Sequence, residues 1–201
     1  MLTQEPIRHP GGGLPAQPGA AAPFVLPDGR PVAFVPITPM SKPVIVAAMT
    51  RMSPESIRRR FLAPRRELSE QELDRLTALD GWHQYAIGAC TAGADGKLEG
   101  LGVARFARTA GDETTAEIAI TVVDAYHGLG IGAALVTRLV DAAKVRGVRR
   151  LQAIMLPDNT PVIGLLQRYA PAARWRRDGA NLVATIPLSA DDRPPARRSR
   201  R

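Results

Sequence analysis

The stretch Tyr126-His-Gly-Leu-Gly-Ile-Gly-Ala-Ala134 decides which folds this chain can adopt. Its glycines, Gly128, Gly130 and Gly132, alternate with larger residues, and an apolar pattern with helical spacing follows directly. Glycines let a backbone approach an anion closely, and the first N–H groups of a helix have no acceptor inside the helix. The stretch therefore predicts a phosphate-binding turn, which the helix dipole would strengthen. A simpler interpretation stays open, in which the glycines only tighten a turn and let the helix pack closely on a strand.

Strand and helix patterns alternate on both sides of the glycine stretch. Gly/Asp turns separate three apolar or alternating segments before it, and Gly147 stops an amphipathic helix after it. Ser53 followed by Pro54, and Ser69 with Glu72 at capping-box spacing, mark two earlier helix starts. The predicted elements are a β-hairpin at 24–35, helices within 41–79, strands at 84–91, 98–107 and 115–123, a helix at 130–146, a strand at 151–156, a helix at 159–169 and a strand at 182–187.

Composition predicts a globular protein that is stable without disulfides or a structural metal. Hydrophobic residues make up 45% of the 201 residues, and the only cysteine is Cys90. His9, His83 and His127 are too far apart in sequence for metal-ligand spacing. No apolar run approaches the roughly 18 residues of a membrane span, and the N-terminus has no signal-peptide pattern. We therefore expect a cytoplasmic protein with no membrane partner.

The two ends of the chain differ from its middle. Residues 1–23 are rich in Pro, Gly and Ala and predict a flexible N-terminal arm. Residues 189–201 end in five arginines from Arg193 onward, which contribute to a net charge of +8. Such a run is typical of a solvated, disordered tail, so we expect nucleic acid or an acidic partner to bind only there, if at all. A single domain at 24–188 remains.

Dinucleotide binding is a second interpretation of the glycine stretch. Gly128, Gly130 and Ala133 fit the pattern G-x-G-x-x-G/A, and Asp158 follows the next strand, near where a ribose ligand would lie. Four residues, however, separate Gly128 from the predicted strand, so it does not form the tight turn itself. Only about forty residues follow Asp158, which is too few to complete a doubly wound sheet.

A third interpretation rests on a family resemblance. His127-Gly-Leu-Gly-Ile-Gly132 resembles the signature Q/R-x-x-G-x-G/A of the GNAT superfamily of N-acetyltransferases. Met52-Ser-Pro-Glu-Ser-Ile-Arg-Arg-Arg-Phe61 and Thr115-Ala-Glu-Ile-Ala119 are similar to segments of bacterial, especially actinobacterial, protein lysine acetyltransferases. The resemblance covers residues 24–188 and implies a mixed, mostly antiparallel α/β (α+β) sheet flanked by helices. It also implies a splayed pair of strands at an acetyl-CoA site.

The resemblance also implies which residues act. A lysine amine has a pKa near about 10.4 and needs a base near neutrality. Glu117 corresponds to the general base of the lysine acetyltransferases, whereas Asp112 and Glu113 are predicted in the preceding turn. A simple outward-facing charge is the alternative for Glu117, and a helix N-cap is the alternative for Asn159. Acetyl-CoA is the implied co-substrate, without a metal, and its implied contacts are Val122, Val123, His127, Gly128, Leu129, Gly130, Ile131, Gly132, Ala133 and Asn159.

Three positions depart from the family pattern. His127 replaces the usual Gln or Arg, Leu166 replaces the Tyr general acid of many relatives, and Ala170-Pro171 replaces Gly-Phe. The expected activity is transfer of an acetyl group from acetyl-CoA to a lysine amine, on a protein substrate. Two alternatives stay open: acetylation of a small-molecule amine, and a non-catalytic acetyl-CoA-binding module whose basic tail docks a partner. The sequence does not distinguish a monomer from a dimer.

Overall fold

The structure is a computed structural model that describes residues 23–188. The predicted arm, except for its last residue, and the predicted basic tail lie outside the described residues. Two short 3₁₀ turns, Pro39–Ser41 and Asp124–Tyr126, accompany the regular elements. These elements are β1 (Phe24–Val25), β2 (Pro31–Pro36), α1 (Lys42–Met49), α2 (Pro54–Phe61), α3 (Glu70–Thr77), β3 (Gln84–Ala92), β4 (Leu98–Thr109), β5 (Asp112–Val122), α4 (Ile131–Val145), β6 (Arg150–Met155), α5 (Thr160–Tyr169), β7 (Arg174–Asp178) and β8 (Asn181–Pro187).

The strands form one mixed sheet in which neighbours are mostly antiparallel. Within residues 23–188 the order across the sheet is β1-β2-β3-β4-β5-β6-β8-β7, and only β5 and β6 run parallel to each other. The predicted fold class is therefore confirmed. A doubly wound dinucleotide fold needs a parallel sheet, so that interpretation is excluded.

Helices cover both faces of the sheet. On one face, α4 packs on β3, β4 and β5, and its Leu135 and Leu139 join Phe106 and Ile118 in the core. On the other face, α1 lies on β4 and α2 lies on β5. Side chains of a strand alternate between faces, so Arg105, next to Phe106, belongs to the side of α1 and α2. The sheet thus separates an α4 side from an α2 side.

The ends of several elements have clear local causes. Ser53 and Ser69 cap α2 and α3 as predicted, and each accepts a hydrogen bond from the N–H of the third residue after it. Asp112 and Glu113 lie in β5, so their predicted place in a turn is wrong. The reason is Gly111, whose φ of 79° closes the turn so tightly that β5 begins with the next residue.

One strand, β7, was not predicted from the sequence. Its five residues, Arg-Trp-Arg-Arg-Asp, are almost all charged and mostly exposed. Within the part of the chain that the structure describes, it pairs only with β8 and forms an edge of the sheet. Charged side chains are common on edge strands because they discourage pairing with further chains, and they hide the alternating pattern of a strand.

The parallel strands β5 and β6 separate from each other partway along β5. Their pairing runs from Thr115 with Arg150 to Ile118 with Ala153 and then stops. β5 continues to Val122 and stays paired there with β4. We call the opening beside β5 after Ile118 the fork; it confirms the predicted splayed pair of strands.

Candidate active site

The glycine stretch forms the turn between the fork and α4. Gly128 and Gly130 have φ of 76° and 84°, in the left-handed region that favours glycine. α4 begins at Ile131, and the first N–H of its start that finds a backbone acceptor is that of Ala134, bonded to the Gly130 carbonyl at 3.0 Å. No backbone carbonyl of the described chain accepts from the N–H groups of residues 128–133. The turn therefore presents a row of free donors, as an anion site at a helix N-terminus requires.

A cavity of about 420 Å³ opens beside this turn, and we call it the glycine-turn cavity. Its other walls come from β5 at the fork and from α5. The predicted ligand-binding residues that line it are Val122, His127, Gly128, Gly130, Ile131, Gly132 and Ala133. Leu129 is 37% exposed and does not line it. Val162 and Leu165 make the α5 wall apolar and Arg168 adds a positive charge, which suits a molecule with both an apolar arm and phosphates.

Backbone groups of β5 point into the fork in a fixed pattern. Val123 donates its N–H to the Leu101 carbonyl of β4 at 2.9 Å. In an antiparallel ladder the residues between such bonded pairs turn their N–H and C=O groups away from that partner strand. Ile120 and Val122 therefore direct theirs into the fork, where β6 no longer pairs. The N–H groups of Val122, a predicted contact, and of Ile120, which was not predicted, are therefore free at the fork, whereas the N–H of Val123 is already bonded.

The His127 imidazole turns back toward the strand. Its Nε2 lies 2.8 Å from the Val122 carbonyl oxygen, and because a carbonyl only accepts, Nε2 carries the proton. The ring therefore satisfies one carbonyl at the fork, and only Nδ1 is left for another partner. Glutamine and arginine, the usual residues of the family pattern here, also carry N–H donors that could make this bond.

A narrow passage of about 60 Å³ leads through the fork toward the other face of the sheet. It shares Val122 and His127 with the glycine-turn cavity. Asn159 also lines it, is buried, and caps α5 through Oδ1, which accepts from the Val162 N–H at 3.4 Å. Among residues 23–188 nothing accepts from its Nδ2, so the capping role and a ligand contact are compatible.

Glu117 lies on the α2 side of β5, beyond this passage. It is exposed and lines a cavity of about 340 Å³, the Glu117 cavity, between α2, α3 and the strands β4 and β5. Ala107 of β4 and Gln152 of β6 are its neighbours in register. The Glu117 cavity and the passage both have Arg60 in their walls, so this side chain lies between them.

Arg60 and Arg105 bring positive charge close to Glu117. Burial lowers the pKa of Arg60 to about 10; the charge of Arg105 lowers it too, and that of Glu117 opposes the change. Burial likewise lowers the pKa of Arg105, again opposed by Glu117. Both guanidinium groups remain protonated near neutrality, so the Glu117 carboxylate faces two cations.

Asp124 ties α2 to the end of β5. Its Oδ2 accepts from the Ser53 N–H at 2.9 Å, and its Oδ1 accepts from the hydroxyls of Ser53 at 2.9 Å and Ser56 at 2.6 Å. Partial burial raises the pKa of Asp124, but the hydrogen bonds from Ser56 and Ser53 outweigh it and keep the pKa below its usual value. The Ser-Pro-Glu-Ser segment noted in the sequence therefore places Arg60 at the passage. Its partner Asp124 was missed because the two are far apart in sequence.

The position where many relatives carry a tyrosine lies in the core. Leu166 is fully buried there, with 0% exposure, and lines neither cavity. Tyr169, one turn later, is 48% exposed and lines the glycine-turn cavity.

Other candidate features of the sequence find no place in a site. Asp158, the ribose ligand of the dinucleotide interpretation, forms an ion pair with Arg58. Over residues 23–188, no three or more His, Cys, Asp or Glu side chains group as a metal site would require. In the same part of the chain, no helix combines the length and apolarity that crossing a bilayer requires.

A turn with free N–H donors on one side of a fork and a carboxylate on the other face suits an enzyme that brings two substrates together across a sheet. The profile described as Acetyltransferase (GNAT) family matches residues 54–170. The chain belongs to this family and is an N-acetyltransferase, with acetyl-CoA as its co-substrate. The alternative of a non-catalytic binding module is not retained.

Among its relatives are two bacterial acetyltransferases. The chain is 33% identical to Acetyltransferase PA5475 of Pseudomonas aeruginosa over 129 residues, which cover 64% of this chain and 68% of that protein. It is 34% identical to Acetyltransferase Pat of Mycolicibacterium smegmatis over 133 residues, which cover 66% of this chain but only 38% of Pat. The crystal structure of the GNAT domain of S. lividans PAT is similar with a TM-score of 0.73 at 27% identity, covering 83% of this chain and 96% of that domain.

Proposed function

We propose that this enzyme transfers the acetyl group of acetyl-CoA to a lysine side chain, on a protein, with Glu117 as the general base. The observation that carries the proposal is the position of Glu117 on the face of β5 opposite the glycine-turn cavity, with a passage through the fork between them. Two substrates could meet there from opposite faces without competing for space. The similarity to Pat and to the GNAT domain of PAT supports a protein lysine as the acceptor.

The residues of the glycine-turn cavity fit acetyl-CoA. We assign the free N–H groups of residues 128–133 to its pyrophosphate, because glycines without Cβ atoms let the phosphates approach. The N–H groups of Ile120 and Val122 point into the fork and suit its amide and thioester carbonyls. Such fixed donors stabilise a developing oxyanion without reorganisation. The Nδ2 of Asn159 supplies one more donor in the passage.

Glu117 must act through water. Along an extended strand Ile120 and Val122 lie roughly 10 and 16 Å beyond Glu117, at about 3.3 Å per residue. A glutamate side chain does not span either distance, so one or more waters in the passage would carry the proton from the lysine ammonium to the carboxylate. The deprotonated amine then attacks the thioester carbonyl and forms the C–N bond; collapse of the resulting oxyanion breaks the C–S bond, and the second proton of the amine nitrogen passes to the departing thiolate or to water.

The departing sulfur needs little help from the protein. A thiol has a pKa near about 8.5, so a thiolate can leave without a strong general acid. The full burial of Leu166 supports this, because the side chain at the position where many relatives carry a tyrosine lies in the core.

The decisive variant is Glu117→Gln, with Glu113→Gln as its matched control. Glu113 lies on the same strand as Glu117 but outside the cavity. With lysine peptides as acceptors and release of the CoA thiol as the signal, we expect kcat/KM of Glu117→Gln to fall by roughly 10²–10⁴-fold. Glu113→Gln should keep the activity. Binding of acetyl-CoA should survive in both variants, and at about 100 times its Kd it should stabilise the fold by roughly 2.7 kcal/mol.

The acceptor class is tested with a panel of lysine peptides, whole proteins and small amines. Preferential turnover of peptides or proteins supports the proposal, and preferential turnover of small amines would replace it with a small-molecule activity. Full turnover in Glu117→Gln would remove Glu117 from the role of base.

A further inference from the structure

The Glu117 cavity carries more positive than negative charge. Its charged walls consist of four arginines and two glutamates: Arg60, Arg65, Arg75, Arg105, Glu72 and Glu117. Arg65 and Glu72 form an ion pair with each other. The other three arginines therefore face one remaining carboxylate, that of Glu117. A single general base does not need three cations, so the excess charge calls for another partner.

Arg60 shows most clearly that a partner is missing. Its side chain borders the Glu117 cavity, the passage and a third, apolar cavity beneath α1. Its guanidinium carbon lies 5.0 Å from the centre of the Phe61 ring, and no described side chain or carbonyl forms a hydrogen bond or ion pair with it. A half-buried charge without a partner is unfavourable, and an anion from outside would reduce this cost.

The other two arginines can contribute to the same anion. Arg105 donates one hydrogen bond to a neutral partner, the Gln84 side-chain oxygen, at 2.9 Å. It has no ion pair within the described residues. Arg75 projects from α3 into the cavity wall and likewise has no ion pair there. Planar guanidinium groups bind carboxylates with two parallel hydrogen bonds, which makes a set of arginines a selective carboxylate site.

We propose that the Glu117 cavity selects acceptors that carry a carboxylate close to the amine that is acetylated. For a protein substrate this is the side chain of an Asp or Glu next to the acceptor lysine. The inference rests on the proposed function, because it places the acceptor amine at Glu117. The same arginines disfavour basic residues beside the acceptor lysine, since like charges repel each other in a partly enclosed site.

The test compares short peptides that contain one lysine and differ only in its flanking residues, which are Glu, Gln or Arg. We expect kcat/KM with acidic flanks to exceed that with Gln flanks by roughly 10-fold or more, the effect of one charge-assisted hydrogen bond, and Arg flanks to be worst. We define the Glu-to-Gln ratio as kcat/KM with Glu flanks divided by kcat/KM with Gln flanks. This ratio should move toward one in the enzyme variants Arg75→Gln and Arg105→Gln. Arg66→Gln, which removes the same charge from an exposed position outside the cavity, should keep the ratio. Added salt should also reduce the preference.

A second experiment compares amines that carry a carboxylate with their amides, such as Nα-acetyl-lysine and its amide. It shows whether the acceptor's own carboxylate can bind the arginines in place of a neighbouring side chain. Equal kcat/KM for acidic and neutral peptides would overturn the inference and leave the proposed function intact. If only small amines are acetylated, the proposed acceptor fails and the acid–amide pairs decide the inference. If the arginine variants change the KM of acetyl-CoA but not the Glu-to-Gln ratio, or if no amine reacts, the inference is wrong.

Discussion

Removal of the Asp124 carboxylate is expected to loosen α2 from the sheet. The side chain accepts three hydrogen bonds from two residues at the start of α2, Ser53 and Ser56. In Asp124→Ala all three are lost. In Asp124→Asn the oxygen that accepts from both hydroxyls can remain, but an NH₂ group then faces the Ser53 N–H, so one bond becomes a contact between two donors.

The size of the effect follows from these bonds. Hydrogen bonds to a charged group contribute about 1.5–3 kcal/mol each, but Asp124 is partly exposed, so about 1 kcal/mol per bond is the appropriate scale. Asp124→Ala should therefore lower the free energy of unfolding by about 3 kcal/mol, and Asp124→Asn by about 1–2 kcal/mol. At about 2–4 °C per kcal/mol for a domain of this size, the Tm of the alanine variant should fall by about 6–12 °C.

The effect should depend on pH with a definite sign. The pKa of Asp124 is lower in the folded protein than in the unfolded chain, so its stabilisation is complete above the unfolded value near about 3.9. It disappears as the pH falls through the lower, folded pKa. The stability difference between wild type and Asp124→Ala should therefore be constant around neutrality and shrink below about pH 4.

Urea unfolding monitored by circular dichroism, with Asp141→Asn as a control, measures these differences. Asp141 lies on α4 and has no ion pair or side-chain hydrogen bond within residues 23–188, so its variant should stay within about 0.5 kcal/mol of wild type. Because Asp124 also positions Arg60 at the passage, the alanine variant should have a raised KM for the acceptor. An unchanged urea midpoint and m-value for Asp124→Ala would refute the conclusion that Asp124 holds α2 to the end of β5.

Two further predictions concern the glycine turn and α5. Gly128→Ala places a Cβ at φ 76° with no atom within 4 Å, so it should destabilise the fold only by backbone strain, roughly 1–2 kcal/mol, and also raise the KM of acetyl-CoA. Gly111, with φ 79° and equally open surroundings, lies at the opposite end of β5 and provides the control. Gly111→Ala should lose the same stability in a thermal melt but keep the KM of acetyl-CoA. Equal effects of both variants on this KM would argue against a phosphate site at the glycine turn. Leu166→Tyr, which restores the tyrosine of many relatives, should destabilise the fold by more than about 2 kcal/mol because it overpacks the core and buries a hydroxyl, and kcat should not rise. A higher kcat in this variant would show that the position reaches the reaction after all.

Local patterns predicted the elements whose causes are local. The capped starts of α2 and α3, the glycine turn and the hairpin of β1 and β2 all depend on residues adjacent in sequence, and the structure contains them. The edge strand β7 was missed because its charges reflect its place at the edge and not its backbone conformation. Asp112 and Glu113 were misplaced because the turn at Gly111 is so tight that β5 begins with the next residue, which polar residues alone do not reveal.

The candidate site was predictable only where one segment supplies it. The glycine turn is continuous in sequence, whereas the Glu117 cavity is assembled from α2, α3, β4 and β5. Arg60, Arg75 and Arg105 are unremarkable among 27 basic residues until the fold brings them together. Likewise, the free N–H of Ile120 and the used N–H of Val123 follow from the register between β4 and β5, which no single segment contains.

That register couples the two halves of the site. On β5 the side chain of an odd-numbered residue, Glu117, faces the Glu117 cavity. The backbone N–H and C=O groups of two even-numbered residues, Ile120 and Val122, face the fork. A shift of one residue would exchange both sets at once: Glu117 would enter the core beneath α4, and different N–H groups would enter the fork. The register shifts between Arg108 and Thr109, next to the turn at Gly111, so the turn itself does not fix the pairing of Glu117. The regular ladder from Arg108 with Ala116 to Gly102 with Val122 holds it instead, and this one ladder therefore determines on which faces Glu117 and the N–H groups at the fork lie.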